Sequence, residues 1–276
     1  MKMPALILIH GYPFDHTLWN DVIAELGREV ATFAPDLPGF GNDPVETSEP
    51  SIDRFGDDVL ESFRMHHAGS AVVAGMSMGG YVALSMAERH AHDIAGLGLI
   101  STQAIADTDE GRKARREMIE KVRRQGPAVA AEAVMAKMFG RDGEQRPDLL
   151  EIPRRAAENA GTDGICWALE AMARRPDRTA LLARLHVPVT VVHGAEDRIV
   201  PIARAHEMAK IIPGANFVEV IGAGHATPLE NPKAVAAALR DLLNLAASAH
   251  AHLSAAAEAE QSNRPGITWG PTEKGL

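Results

Sequence analysis

Six short apolar runs, separated by stretches with helical spacing, constrain this chain more than any other feature. They occupy residues 6–10, 29–35, 70–75, 94–100, 187–193 and 216–221. Their apolarity is nearly continuous and does not alternate. A strand with one face in water alternates apolar and polar residues; a continuous run marks a strand covered on both faces. Residues 17–26, 52–66, 80–90, 203–211 and 232–245 carry helix-type periodicity, as with Leu18, Val22 and Leu26. The expectation is an α/β fold: a mostly parallel sheet of about six strands with helices on both faces.

One segment departs from this rhythm. Residues 103–185 hold no convincing strand and are charged and helical, broken at Gly126-Pro127, Gly140, Arg146-Pro147 and Gly161. An insertion of this length between two sheet strands reads as a helical cap. The expected organisation is therefore a core of residues 1–102 and 186–247, a cap at 103–185, and a tail at 248–276. The Ala/Glu/His part of the tail is expected to extend the last helix. The part beginning Ser262-Asn263-Arg264-Pro265-Gly266 is expected to be disordered.

Composition closes off several function classes. A formal charge of −9 argues against a nucleic-acid partner, which needs clustered Lys and Arg. Arg112, Lys113, Arg115, Arg116, Arg123 and Arg124 do cluster, but they are interleaved with Glu110, Glu117 and Glu120 at helical pairing distances. They read as a solvated helix face, with an acid-steering patch near a site mouth as the alternative. Cys166 is the single cysteine, so no internal disulfide can form. No apolar run reaches membrane-spanning length and no signal peptide is evident, so a soluble cytoplasmic protein, monomer or homodimer, is expected.

The chemistry-bearing signal is Gly75-Met76-Ser77-Met78-Gly79-Gly80, placed between a strand candidate and a helical stretch. A serine on such a turn is exposed and conformationally strained, and the flanking glycines remove side chains that would collide. Its hydroxyl needs a base that is neutral near pH 7, which points to histidine. Among 12 histidines, His225 follows the last strand candidate in a Gly-rich loop, Gly222-Ala223-Gly224-His225. Asp197, just past the fifth candidate, is placed to accept the second imidazole N–H, with Glu196 as its competitor. The order Ser77, Asp197, His225 is that of an elbow-type triad. Oxyanion donors are expected from the backbone N–H groups of Met78 and Tyr12, because Pro13 has none. His10 is expected to brace the loop that carries Tyr12. Phe14, Met135, Met138, Phe139 and Trp167 are candidate pocket residues.

These residues resemble the α/β-hydrolase superfamily across roughly residues 5–246. The resemblance rests on His10-Gly11-Tyr12-Pro13, Asp36-Leu37-Pro38-Gly39-Phe40-Gly41, the Ser77 elbow, Gly194-Ala195-Glu196-Asp197, and Gly224-His225 followed by Glu230-Asn231-Pro232. The chain is most similar to small carboxylesterases, enol-lactonases and cofactor-free perhydrolases. The resemblance implies hydrolysis of small to medium carboxylic esters through an acyl-enzyme, with a small-molecule substrate and neither metal nor organic cofactor. Lactone or C–C hydrolysis, perhydrolysis and cyanohydrin cleavage remain alternatives on the same triad, as does a non-catalytic receptor. The aspartate nucleophile of related dehalogenases is absent, and the cap lysine that hydroxynitrile lyases need has only Lys113, Lys121 and Lys137 as candidates. Many relatives carry two extra strands before the His-Gly strand, which here begins at residue 6, so the sheet is expected to be shortened to six strands.

Overall fold

The fold was determined as a computed structural model, which describes residues 3–45 and 49–262. Six parallel strands form one sheet: β1 (Ala5–Ile9), β2 (Thr32–Phe33), β3 (Ala71–Met76), β4 (Ile94–Ile100), β5 (Val189–Gly194) and β6 (Asn216–Val220), in the order β2-β1-β3-β4-β5-β6. The central strands are buried almost throughout, as continuous apolarity requires. The edges differ. β6 is largely half-buried or exposed, and β2 is only two residues long where residues 29–35 were expected. Pairing holds only Leu6 to Thr32 and Ile7 to Phe33, and Pro35 cannot donate to a ladder. A short edge also offers little template for pairing with other chains.

Alternate residues of each strand feed opposite layers. Ile7, Ile9 and Val73 join the core under α2 (Ile52–His66) and α3 (Met78–Arg89), which contribute Phe55, Val59, Phe63, Val82 and Met86. Leu6, Leu8, Val72 and Ala74 face the other way, against α1 (Asn20–Leu26) and a long C-terminal helix at Pro232–Ser262. That helix runs well past residue 245, as the Ala/Glu/His composition anticipates. The tail after Ser262, where disorder is expected, lies outside the described residues.

Between β4 and β5 the chain forms α4 (Asp109–Gln125), α5 (Ala128–Met138), α6 (Arg141–Glu144), α7 (Pro147–Arg174) and α8 (Thr179–Leu182). Each sequence break acts where it stands. Gly126 takes a positive φ of 91° to end α4, Pro147 opens α7, and Gly161 interrupts α7 with φ 67°. Trp167 of α7 tilts against Phe55 of α2, ring centres 4.8 Å apart, and so ties this helical insertion to the sheet layer. Among the described residues, no helix is long and apolar enough to cross a membrane.

The strand order reverses beside β1: β2 lies on one side and β3 on the other. Open parallel sheets gather ligand-binding groups at the carboxyl ends of strands at such a switch point. The loop after β1 and the turn after β3 both open there.

Candidate active site

Ser77 occupies the turn between β3 and α3 with φ 53° and ψ −111°, a region that residues with a side chain rarely adopt. The surroundings enforce it. A Cβ on Gly75 would come within 2.0 Å of the Gly79 carbonyl oxygen, and one on Gly79 within 2.2 Å of the Ile9 carbonyl oxygen. Backbone bonds then pin the turn: Ser77 N–H donates to Ile100 at 2.9 Å, and Gly80 N–H donates to Ser77 at 2.9 Å. Between fully buried β3 and buried α3, Ser77 is the half-buried residue of the run. Ser85 and Ser101, by contrast, are fully buried and hydrogen-bonded to Asp53 and Thr227.

His225 and Asp197 meet Ser77 across 148 and 120 residues of sequence. The Ser77 hydroxyl lies 2.9 Å from His225 Nε2, and His225 Nδ1 lies 2.8 Å from Asp197 Oδ2. With Nδ1–H donating to the carboxylate, Nε2 is left to accept from Ser77. The other carboxylate oxygen accepts the N–H groups of Ile199 and Val200 at 2.8 and 2.9 Å. Burial alone would raise the Asp197 pKa. The charge of His225 and hydrogen bonds from His193 and His225 outweigh it and hold this carboxyl well below the ordinary range. Glu196, the competing acid, instead accepts from Arg141 at the surface.

Two residues to which the sequence reading gave no role brace this arrangement. His193 is fully buried; its Nε2 sits 2.8 Å from the Val200 carbonyl and 3.2 Å from Asp197 Oδ2. Glu230 accepts from Gly224 N–H at 2.9 Å and Gly140 N–H at 2.7 Å, which locks the His225 loop to the insertion. His225 N–H itself donates to Met138 at 2.8 Å. The Glu-Asn-Pro triplet after Gly224-His225 was the available signal for Glu230.

The loop after β1 closes the opposite side. Leu37 N–H donates to His10 Nε2 at 3.0 Å, so the His10 proton sits on Nδ1, 3.0 Å from the Gly11 carbonyl. Burial lowers the His10 pKa and keeps this ring neutral. His10 thus braces the loop. Gly11 permits close approach, since a Cβ there would meet Met76 Sδ at 2.5 Å and Ser77 Cβ at 3.3 Å. Tyr12 follows directly. Met78 is the first residue of α3, so its N–H has no partner within the helix.

A cavity of about 380 Å³ opens over these groups, a size suited to a small organic molecule. Ser77, His225 and Tyr12 line it from the sheet side; Met118, Val134, Met138, Leu169 and Met172 line it from the insertion. Of the five expected pocket residues, Met138 is in the wall. Phe14 and Phe139 are instead fully buried in the core under the C-terminal helix, where aromatic volume is most useful. Trp167 is spent on Phe55 and lies at a second, separate cavity. Met135 is half-buried on α5 away from the wall, whereas Val134 and Met138, four apart, share the inward face.

The basic cluster on α4 needs a correction too. Arg115 does not face solvent: with Gly111, Ala114 and Met118 it lines the cavity, and 22% of its side chain is exposed. Residues 111, 114, 115 and 118 form one helical stripe. Lys113 pairs with Glu117 at the surface, and no lysine is among the residues that line the cavity. Asp15, His16 and Asp36 bring ligand-type atoms within 4.8 Å of one another, the one such group among the described residues. Asp15 accepts from Thr17, and Asp36 accepts from His16 and Asn42; none of the three lines the cavity.

Known proteins share this architecture. A thermophilic esterase from Thermogutta terrifontis, solved with malate bound, superposes with a TM-score of 0.84 at 35% identity, over 88% of this chain and 90% of that one. An enol-lactonase from Burkholderia xenovorans superposes with a TM-score of 0.80 at 26% identity, over 88% of this chain and 92% of that one. A pimeloyl-acyl-carrier-protein methyl ester esterase from Aromatoleum aromaticum is 28% identical over 256 residues, 88% of this chain and 99% of that protein. Residues 6–238 match the alpha/beta hydrolase family, and the chain belongs to that family.

Proposed function

We propose that this enzyme cleaves small to medium carboxylic esters through an acyl-enzyme on Ser77. The observation that carries the reading is the unbroken chain of contacts from Ser77 through His225 to Asp197 at the floor of an apolar cavity. Ser77 Oγ attacks the ester carbonyl carbon as His225 Nε2 takes its proton. The carbonyl electron pair moves onto oxygen, where the Met78 and Tyr12 N–H groups receive it. The C–O bond to the alcohol then breaks, and His225 returns the proton to the departing oxygen. Water, deprotonated by His225, attacks the acyl-serine and releases the acid with Ser77 restored. Asp197 stays ionised throughout and stabilises the imidazolium. Residues 103–185 cap the site and exclude water. A lactone is an internal ester, so ring opening follows the same steps. The single buried cysteine suits a reducing, cytoplasmic setting.

The test is turnover of p-nitrophenyl esters of graded acyl length. Ser77→Ala is expected to lose about 10,000-fold or more in kcat. A Ser77→Ala protein with full activity, or fluorophosphonate labelling at another serine, overturns the reading.

A further inference from the structure

The apolar cavity has one charged stretch of wall. Arg115 reaches it from α4, held through Nε by Asp107 Oδ2, with Nη2 a further 3.4 Å from Oδ1. Burial opposes the guanidinium charge, but Asp107 outweighs burial and keeps Arg115 charged. Asp107 is not Arg115's alone. Arg175 Nη1 lies 2.7 Å from Asp107 Oδ1, and the Arg175 guanidinium stacks 4.1 Å over the Tyr81 ring. Arg175 also donates to the carbonyls of Met172 and Ile105. Two guanidiniums thus share the Asp107 carboxylate, with Asp177 also within electrostatic reach of Arg175.

The donors are unequally occupied. Arg115 Nη1 points at the Met172 thioether, 3.4 Å away, a weak acceptor that an oxygen would displace. The Tyr12 hydroxyl is buried and has no hydrogen-bond partner among the described residues. Burial pushes its pKa well up, so it stays a neutral O–H donor. It lies within electrostatic reach of Arg115. Arg115 and Tyr12 therefore line the same cavity as Ser77 and His225, with the orphan Tyr12 O–H buried behind that wall within electrostatic reach of the guanidinium.

We propose that this wall selects esters bearing a carboxylate, held by Arg115 Nη1 and the Tyr12 hydroxyl while Ser77 addresses the ester group. The inference rests on the ester-cleaving reading above. A charge-assisted hydrogen bond in a poorly hydrated pocket is among the stronger polar contacts available. The remaining lining of Met118, Val134, Leu169 and Met172 suits the methylene chain between the two groups.

Binding separates this inference from turnover. Calorimetry on the Ser77→Ala protein would use monomethyl adipate against methyl hexanoate, which differ by a carboxylate in place of a terminal methyl. Hexanoyl glycolate carries the carboxylate on the alcohol side instead. At least one of the two charged esters is expected to bind about tenfold or more tighter than methyl hexanoate. Adding Arg115→Gln is expected to erase that ratio, and Arg115→Lys to retain most of it. If neither charged ester binds better than methyl hexanoate, or if the ratio survives Arg115→Gln in a folded protein, the inference falls. Turnover of neutral p-nitrophenyl esters by the parent enzyme decides the ester-cleaving reading separately.

Discussion

The two walls of the cavity are built by different means. On the sheet side backbone bonds anchor each of the three polar residues. Ser77 is pinned to Ile100, His225 to Met138, and Asp197 receives the N–H groups of Ile199 and Val200. On the insertion side Arg115 and Asp107 are held by ion pairs, and Arg175 by an ion pair, a guanidinium–ring stack and two backbone carbonyls. Backbone bonds at strand ends place an atom to within the tolerance that nucleophilic chemistry needs. Ion pairs on helices tolerate exchange of one side chain for another. On the proposed reading, the rigid wall carries the reaction and the adjustable one the choice of substrate.

Changes on the two walls are expected to differ in kind as well as size. After Ser77, the largest effect belongs to Asp197→Asn, with kcat on p-nitrophenyl esters down about 1,000-fold because the imidazole loses its orienting acceptor. The same variant should carry a pH signature. The Asp197 carboxyl is held below its unfolded value, so its stabilisation is complete above the unfolded pKa and disappears as pH falls through the folded one. The gap in melting temperature between parent and Asp197→Asn should therefore be widest near pH 7 and shrink below about pH 4. A gap independent of pH would remove Asp197 from that role.

Glu230 joins the two walls, so Glu230→Gln sharpens where one ends. An amide accepts from Gly140 or Gly224 and turns its own N–H toward the other. A fall in kcat of about tenfold with KM little changed is expected, since one unsatisfied donor lets the His225 loop drift. A change in KM alone would assign Glu230 to substrate contact instead. The smallest catalytic effect is expected from Met138→Ala, a shift of a few-fold toward longer acyl chains, read as kcat/KM against chain length. Phe14→Ala supplies the contrast. It lies in the core and not in the cavity wall, so it should cost about 3–5 kcal/mol of stability in denaturant unfolding and leave the chain-length profile unchanged.

Legibility in the sequence followed the same division. Continuous apolar runs located the four central strands, because burial on both faces favours apolar side chains. One edge was overread: β2 kept two residues of an expected seven, since edge pairing depends on which backbone groups find a partner. The turn at Ser77 and its meeting with Asp197 and His225 could be read because glycine and strand-end placement leave marks in the chain. Phe14, Phe139 and Trp167 looked like pocket residues because an aromatic in a core and one in a cavity wall are the same letter. Arg115 was read as solvent-facing because its neighbours Arg112, Lys113 and Arg116 share its charge, although only Arg115 falls on the inward stripe.

By itself the amino-acid sequence determined the parallel sheet, the strained serine turn and the order of the three groups that meet there. Those properties are local: they follow from apolar runs, glycine positions and spacing along the chain. The tertiary structure alone decided which face of α4 turns inward, that Asp107 is shared between two arginines, and that the Tyr12 hydroxyl is left without a partner. Arg175 meets Asp107 across 68 positions of chain, and no short-range pattern encodes that contact.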